Sequence, residues 1–471
     1  MIRVLFLKEI REAFTSRRFW IVLALCLVLI PLGVQVSLKD YQTRLQNYRE
    51  AVRIYQEETK TASDILYREG GKAFAPPSPL NFLSLGLALV NPNIAETQYR
   101  NGEPPAVMRL SNNQGLDNLY EYFYGALDLV FIVAVVMSLL AVSLTFGAIA
   151  GEKENGTLKQ ILSYAVPRPQ IVLAKALANG LVLVVPFLLS LGLSLAILGA
   201  GGGASAAAPG AGVSIGLAIL ASVLLIGVFL NLSLLVSTLT KQAVQALVVL
   251  LLAWVFLYGI YPRLSAAAAQ IISPVKSEAR VALDKAQLRR AVNKERDAEI
   301  DALVQASPDK MTQTDMDDMG KKQEAILDRY QGKLEESWKS LEADVAERQR
   351  VRGALAADIA RLSPVSAFVR PLAELSRNGT LEYRQFDTGI RRFEETLNRE
   401  IFNKNKFIRM KGGAAQLGGM DLGVAAPVFT YTPAATDAMV RNVLPDLVIL
   451  VLFNVLFFAG AFVAFLRYDP R

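Results

Sequence analysis

The sequence predicts an all-α membrane protein with six transmembrane helices, both termini cytoplasmic and a mainly helical external domain. Three observations carry that prediction. Of the 471 residues, 52% are hydrophobic and the mean hydropathy is +0.32, more apolar than a water-soluble chain of this length needs to be. The apolar residues gather into six runs close to the ~20 residues a spanning helix requires. Lysine and arginine collect at alternate connections between those runs, the bias that fixes orientation in a bilayer.

Residues 1–18 begin the chain with Ile2, Phe6, Ile10 and Phe14 at spacings of three and four. That is the pattern of an amphipathic helix lying along the inner leaflet, with a solvated extension of the first span as the plainer alternative. Span one is 19–36. Its apolar stretch exceeds the ~7–15 residues of a signal-peptide core and no small-x-small cleavage site follows, which favours a retained anchor. The other spans are 127–150, 171–198, 213–236, 243–261 and 443–466. Arg3, Lys8, Arg11, Arg17 and Arg18 precede span one. Lys153, Lys159 and Arg168 lie between spans two and three, Lys241 between four and five, and Arg467 and Arg471 after six. The Gly/Ala-rich connection 199–212 carries no charge. The positive-inside rule therefore puts that connection, and the long insertions 37–126 and 262–442, outside.

The first insertion opens as a helix with Tyr41, Leu45, Tyr48 and Val52 on one face, then turns irregular through proline- and asparagine-rich stretches. In the second, Val281, Leu288 and Val292 mark one helix, and Tyr330, Leu334, Trp338, Leu341 and Val345 a long one ending before Ser363-Pro364. Tyr383, Phe386, Ile390, Phe393, Leu397 and Ile401 mark a third. Narrow apolar stripes of this kind pair as antiparallel hairpins. Met311, Met316 and Met319 stand among Asp and Lys without Cys or His, which suits packing better than soft-metal binding.

Several chemistries are excluded. The chain has no histidine and one cysteine, Cys26, so it has neither imidazole catalysis nor an internal disulfide. No phosphate-cradling G-x-x-x-x-G-K-[ST] loop occurs; Gly70-Gly71-Lys72 and Gly320-Lys321 lack its spacing and hydroxyl. The net charge of +7 sits beside the apolar runs, where it orients the chain rather than binding nucleic acid. Inside the spans the polar residues are few: Asn179, Asn231 and Asn454, with Asp128 and Asp446 near external ends. Such groups join helices or line a pathway.

The connection after span two reads Gly151-Glu-Lys-Glu-Asn-Gly-Thr-Leu-Lys-Gln-Ile-Leu, then Pro167 and, further on, Ile171 and Lys175. A short charged helix between two rigid spans is suited to transmit movement from a soluble motor. In Glu152, Glu154, Gly156, Thr157, Leu158, Ile161 and Leu162 it resembles the ABC-2-type permeases. Pro167, Ile171 and Lys175 continue the likeness, with Pro169 where that pattern has arginine. Residues 232–252 with Trp254 and Pro262, the ending Arg467-Tyr468-Asp469, and Lys8, Glu9 and Glu12 agree with it. Ser363-Pro364, Asn378-Gly-Thr380, Tyr383 and Phe386 are similar to a subgroup with large insertions after spans one and five.

The resemblance implies the permease subunit of an exporter in a bacterial inner membrane, multi-pass and not itself an enzyme. A second permease, identical or different, completes the pathway. A separate ATP-binding subunit binds ATP and magnesium, so this chain holds no cofactor. Glu152, Glu154, Gly156, Thr157, Leu158, Ile161 and Leu162 would dock that subunit, and the external domain would meet substrate or an envelope partner. The alternative is a non-transporting complex in which ATP hydrolysis moves the external domain. A transmembrane sensor is disfavoured for want of a cytoplasmic output domain.

Overall fold

The structure is a computed structural model and describes residue 11 and residues 14–61, 71–89, 93–98, 106–109, 127–163, 167–200, 210–306, 312–397 and 428–468. The start of the amphipathic helix, Ser307-Pro308, Met311, Ile401 and the last three residues lie outside them. Among the described residues, six helices are long and apolar enough to cross a membrane.

Helix α1 (Arg17–Thr61) carries the first span. It does not end at Val36, where the sequence places the start of the external domain. No glycine or proline interrupts residues 36–61, and Tyr41 and Tyr55 give the extension a buried stripe, so the helix simply continues. Tyr55 accepts a hydrogen bond from the Lys72 amide at 3.0 Å and packs on Phe74, ring centroids 5.6 Å apart. Lys72 and Phe74 bound strand β1 (Lys72–Phe74) of an antiparallel sheet with β2 (Ile94–Gln98) and β3 (Ala106–Arg109), in the order β1-β2-β3. Nothing in the hydrophobic pattern of these short segments predicts the sheet.

Span two, α2 (129–145), starts on the Asp128 cap and widens into a π turn at Ile132–Met137. Ser138 follows it and donates to the Ala134 carbonyl at 2.6 Å, satisfying backbone that the irregular turn loosens. A short two-helix turn, α3 (Ala150–Glu154) and α4 (Thr157–Ser163), leads to α5 (Arg168–Ala200) and α6 (Ala211–Leu239), spans three and four. Span five, α7 (Ala243–Ile272), also contains a π turn, Phe256–Ile260. It runs eleven residues beyond Tyr261, the end that composition suggests. Its Trp254 Nε1 donates to Ser138 Oγ at 2.8 Å and stacks on Tyr258, centroids 5.0 Å apart, so the two irregular spans are clasped together.

The second insertion holds α8 (Glu278–Gln305), α9 (Gln313–Ala360), α10 (Ser366–Leu375) and α11 (Thr380–Leu397), before span six, α12 (Thr436–Leu466). Helices α8 and α9 form the expected hairpin. Val292, Ile326 and Leu334 fill its seam, and Lys285–Glu342, Glu295–Lys333 and Glu299–Arg329 bridge it. The partner number falls as the first rises, which is antiparallel register. At 1.5 Å per residue the 48 residues of α9 extend about 72 Å. Its C-terminal end is fixed at the membrane: Tyr261 Oη donates to the Ile359 carbonyl at 3.0 Å and Ser363 Oγ to the Leu257 carbonyl at 2.8 Å.

The two insertions share one core. Ala73 and Ala95 of the sheet pack on Phe386, Ile390 and Phe393 of α11. Asn378 donates to Asn81 Oδ1 at 2.9 Å and to the Ser84 carbonyl at 2.8 Å, and Ser78 donates to the Ser376 carbonyl. In the membrane, span six packs along span four. Its outer part carries Asp446, fully buried. Asp446 Oδ1 accepts from Arg361 Nε at 2.8 Å, and Oδ2 from Arg370 Nε at 2.9 Å and Nη2 at 2.7 Å.

Candidate functional site

The α3–α4 turn is linked through Asn155 and Gly156. Gly156 sits at φ +73°, in the left-handed region that costs a side-chain-bearing residue ~1–2 kcal/mol. After it, Leu158 drops completely out of solvent into a pocket of Ile149, Ile171, Val172, Leu234, Ala461 and Phe465. The members of this cluster come from spans three, four and six and from the approach to α3, so it gathers four parts of the membrane domain around the turn. Ile161 and Leu162 close the rim.

Polar bonds fix the rest of the turn to helix ends. A helix leaves its last carbonyls and first amides without partners, and the turn supplies them in trans. Lys153 Nζ donates to the Thr238 carbonyl and, at 3.0 Å, to the Thr240 carbonyl, at the C-terminus of α6. Its ammonium also lies 4.8 Å from the Tyr468 ring centroid. Glu154 Oε2 accepts from the Ala243 amide at 3.0 Å, at the first turn of α7. A cation on a helix C-terminus and an anion on an N-terminus are both favoured by the helix dipole. Ser237 Oγ accepts from the amides of Ile149 and Ala150 at 3.0 and 2.9 Å. Glu152 Oε1 pairs with Lys175 Nζ of α5 at 2.7 Å, while Glu152 Oε2 is buried and unbonded. Arg168 Nη1 donates to the carbonyls of Leu466 and Tyr468 at 2.9 and 3.0 Å, capping the end of α12.

The membrane amides are arranged differently. Asn179 Nδ2 donates to the Lys175 carbonyl of its own helix at 2.9 Å. Asn231 Nδ2 donates to Asn454 Oδ1 at 2.9 Å, and Asn454 Nδ2 donates to the Leu224 and Leu450 carbonyls, each at 2.9 Å. Gly227 lets the helices approach there: a Cβ on it would lie 2.6 Å from Asn454 Oδ1.

Residues 3–375 match the profile of the ABC-2 family transporter proteins. The chain belongs to the ABC-2 transporter family. Over 57 residues it is 42% identical to the probable ABC transporter permease protein NosY of Pseudomonas aeruginosa and, equally, to that of Stutzerimonas stutzeri. Each alignment covers 12% of this chain and 21% of the relative, so the match spans about a fifth of the length of these curated relatives.

In this ABC-2 transporter protein the residues singled out from sequence divide by direction. Glu154, Gly156 and Thr157 are exposed, as are Asn155, Lys159, Gln160 and Ser163. Glu152 and Leu158 point inward and anchor the turn; a fully buried Leu158 cannot itself touch a docked subunit. Ile161 and Leu162 are half-buried. Of the three amides, Asn231 and Asn454 meet, whereas Asn179 does not join them. Sequence reading missed the tethering roles of Lys153, Ser237 and Tyr468. Lys153 stood inside the motif, but only the fold shows that α6 ends beside it. Gly212-Val-Ser-Ile-Gly216 matches the G-x-S-x-G spelling of a nucleophile elbow. It lies within helix α6, Ser214 faces Met439, and the chain has no histidine to activate it.

Proposed function

We propose that the chain is the permease subunit of a bacterial inner-membrane ABC exporter, working as a dimer and driven by separate ATP-binding subunits. The observation that supports this best is the grip of the α3–α4 turn, which continues span two and is bonded or packed to spans three, four, five and six. A load on its exposed face therefore reaches every span but the first. Lys153 and Glu154 hold opposite sides of the 240–242 connection, so displacement of the turn acts on the end of span four and the start of span five together. The Glu152–Lys175 pair carries the same displacement to span three. ATP and magnesium belong to the partner, because this sequence lacks a phosphate-cradling loop. The names of the two NosY relatives support the permease assignment.

A second reading has its own support. Helix α9 reaches about 72 Å and is tied to span six through Asp446, so the same ATP-driven displacement would move the hairpin against an envelope partner without anything crossing the bilayer.

Co-purification from native membranes, followed by ATPase measurement, tests the docking face. An ATP-binding subunit should accompany the wild-type chain. The double variant Thr157→Arg/Lys159→Glu should weaken that association by about tenfold or more, the effect of losing ~1.4 kcal/mol at an interface centre. Association that is absent, or indifferent to these substitutions, rules the docking assignment out. Deleting the α8–α9 hairpin separates the two readings: flux that survives favours export, and loss of function with ATPase retained favours transmission.

A further inference from the structure

Span six is gripped at both of its ends by elements that project from the bilayer, as is span five through Glu154 and Tyr261. At its inner end Ala461 and Phe465 share one buried cluster with Leu158, Lys153 lies over Tyr468, and Arg168 caps the final carbonyls. At its outer end Asp446 holds Arg361, the residue that closes α9, and Arg370 of α10. From Asp446 to Phe465 the rise is about 28 Å, close to the thickness of the hydrocarbon core. Asn454 lies between, about 12 Å from Asp446 and about 16 Å from Phe465, where it is bonded to Asn231 and to the backbone of span four.

Pro445 immediately precedes the carboxylate. A proline inside a helix removes one backbone bond and loosens the turn before it. Arg370 Nη2 donates to the Asn442 carbonyl at 3.1 Å in that turn. The outer turns, 436–444, can thus bend away from the shaft below, and Asp446 is the first residue on the shaft side of the bend. The fully buried carboxylate, with its two guanidinium partners, joins the hairpin through Arg361 to the shaft, while Arg370 also holds the outer turn at Asn442.

We propose that span six is a lever pivoting at Asn454, and that Asp446 is the positioning residue through which displacement of the α3–α4 turn sets the angle of the α8–α9 hairpin. This rests on the reading that a motor loads that turn. The hairpin angle would then be an output of the ATP cycle in either functional reading, delivered to whatever the hairpin meets outside the membrane.

The test uses full-length protein with spin labels on introduced cysteines at Lys322 of α9 and Thr388 of α11, Cys26 being buried. In the complex with its ATP-binding subunit, a non-hydrolysable ATP analogue should shift the wild-type label distance. Asp446→Asn and Arg361→Gln should abolish that shift while complex yield and ATPase rate are retained, and Asp446→Glu should restore part of it. Arg361→Gln leaves the Arg370–Asp446 pair in place and so guards against simple misfolding. In the isolated permease, without nucleotide, both uncoupling variants should broaden the distance distribution. A wild-type shift that persists in Arg361→Gln, or a distribution that stays narrow in both variants, overturns the proposal. If no ATP-binding subunit associates, the functional reading fails, and the isolated-permease measurement still decides whether Asp446 positions the hairpin.

Discussion

At the scale of single residues, buried polar groups carry the testable consequences. The Asn231–Asn454 bond crosses between two membrane helices, where such bonds average ~0.6 kcal/mol and reach ~1.7. A double-mutant cycle with Asn231→Ala and Asn454→Ala should give a coupling energy in that range, read from unfolding in mixed micelles. Gly227→Ala should match or exceed the Asn231→Ala loss, because its methyl would displace the Asn454 oxygen from Asn231 and, with it, strain the Asn454 Nδ2 bonds to the Leu224 and Leu450 carbonyls. Outside the membrane, Glu394 of α11 is a pH-sensitive group. Burial first, and then the negative charge of Glu342, raise its pKa from the ordinary 4.5 to about 7, against the opposing pull of Arg391 and Lys339. A carboxyl whose folded pKa is raised stabilises the fold while protonated. Its contribution is complete below about 4.5 and is lost as pH rises through about 7. Thermal unfolding of the external domain should therefore occur at lower temperature near pH 8 than near pH 5, and Glu394→Gln should flatten that dependence. An unchanged profile in the variant removes Glu394 as its source.

At the scale of elements, the hairpin shows what a sequence discloses and what it withholds. Tyr330, Leu334, Trp338 and Val345 recur at helical spacing, so α9 was legible residue by residue, and Ser363-Pro364 marked its end to within a few residues. Leu334 is the most buried residue of the hairpin seam, 3% exposed. Leu334→Ala should cost about 2–3 kcal/mol, the low end for a core leucine because a two-helix seam can partly collapse. Hydrogen exchange along α8 and α9 should accelerate, with the membrane spans unaffected; acceleration confined to the site itself would mean the helices hold together by other means. The long extension of α1 was partly legible, since Tyr41, Leu45, Tyr48 and Val52 form a stripe, but no residue announced that the helix is continuous with span one. The sheet was not legible. Its strands have three to five residues, too few for alternation to stand out, and what stabilises them is Phe386 and Ile390 of a helix nearly three hundred positions away. The candidate site behaved similarly: the E-x-E-x-G-T-L spelling located the turn, while the division between anchoring and exposed residues depended on helix ends that the motif does not encode.

At the scale of the whole molecule, two insertions separated by four spans build one external body, and the membrane domain meets it at spans five and six. Local signals (apolar length, charge bias, turn chemistry) fix the six helices and their orientation. The long-range joins, Asn378 to Asn81 and Asp446 to Arg361, fix how that body stands on them. The clasp between spans two and five gives this arrangement an optical side. The chain has three tryptophans, and each lies in a different setting. Trp20 is 61% exposed on the apolar surface of span one. Trp338 lies under the Lys285 ammonium, 5.0 Å from its ring centroid, in the hairpin. Trp254 is hydrogen-bonded to Ser138 and stacked on Tyr258. Protein that retains one indole at a time would therefore emit separately from the bilayer edge, the extramembrane arm and the seam between two irregular spans. The seam's indole cannot change partner without changing colour, so native fluorescence alone can time the parting of spans two and five.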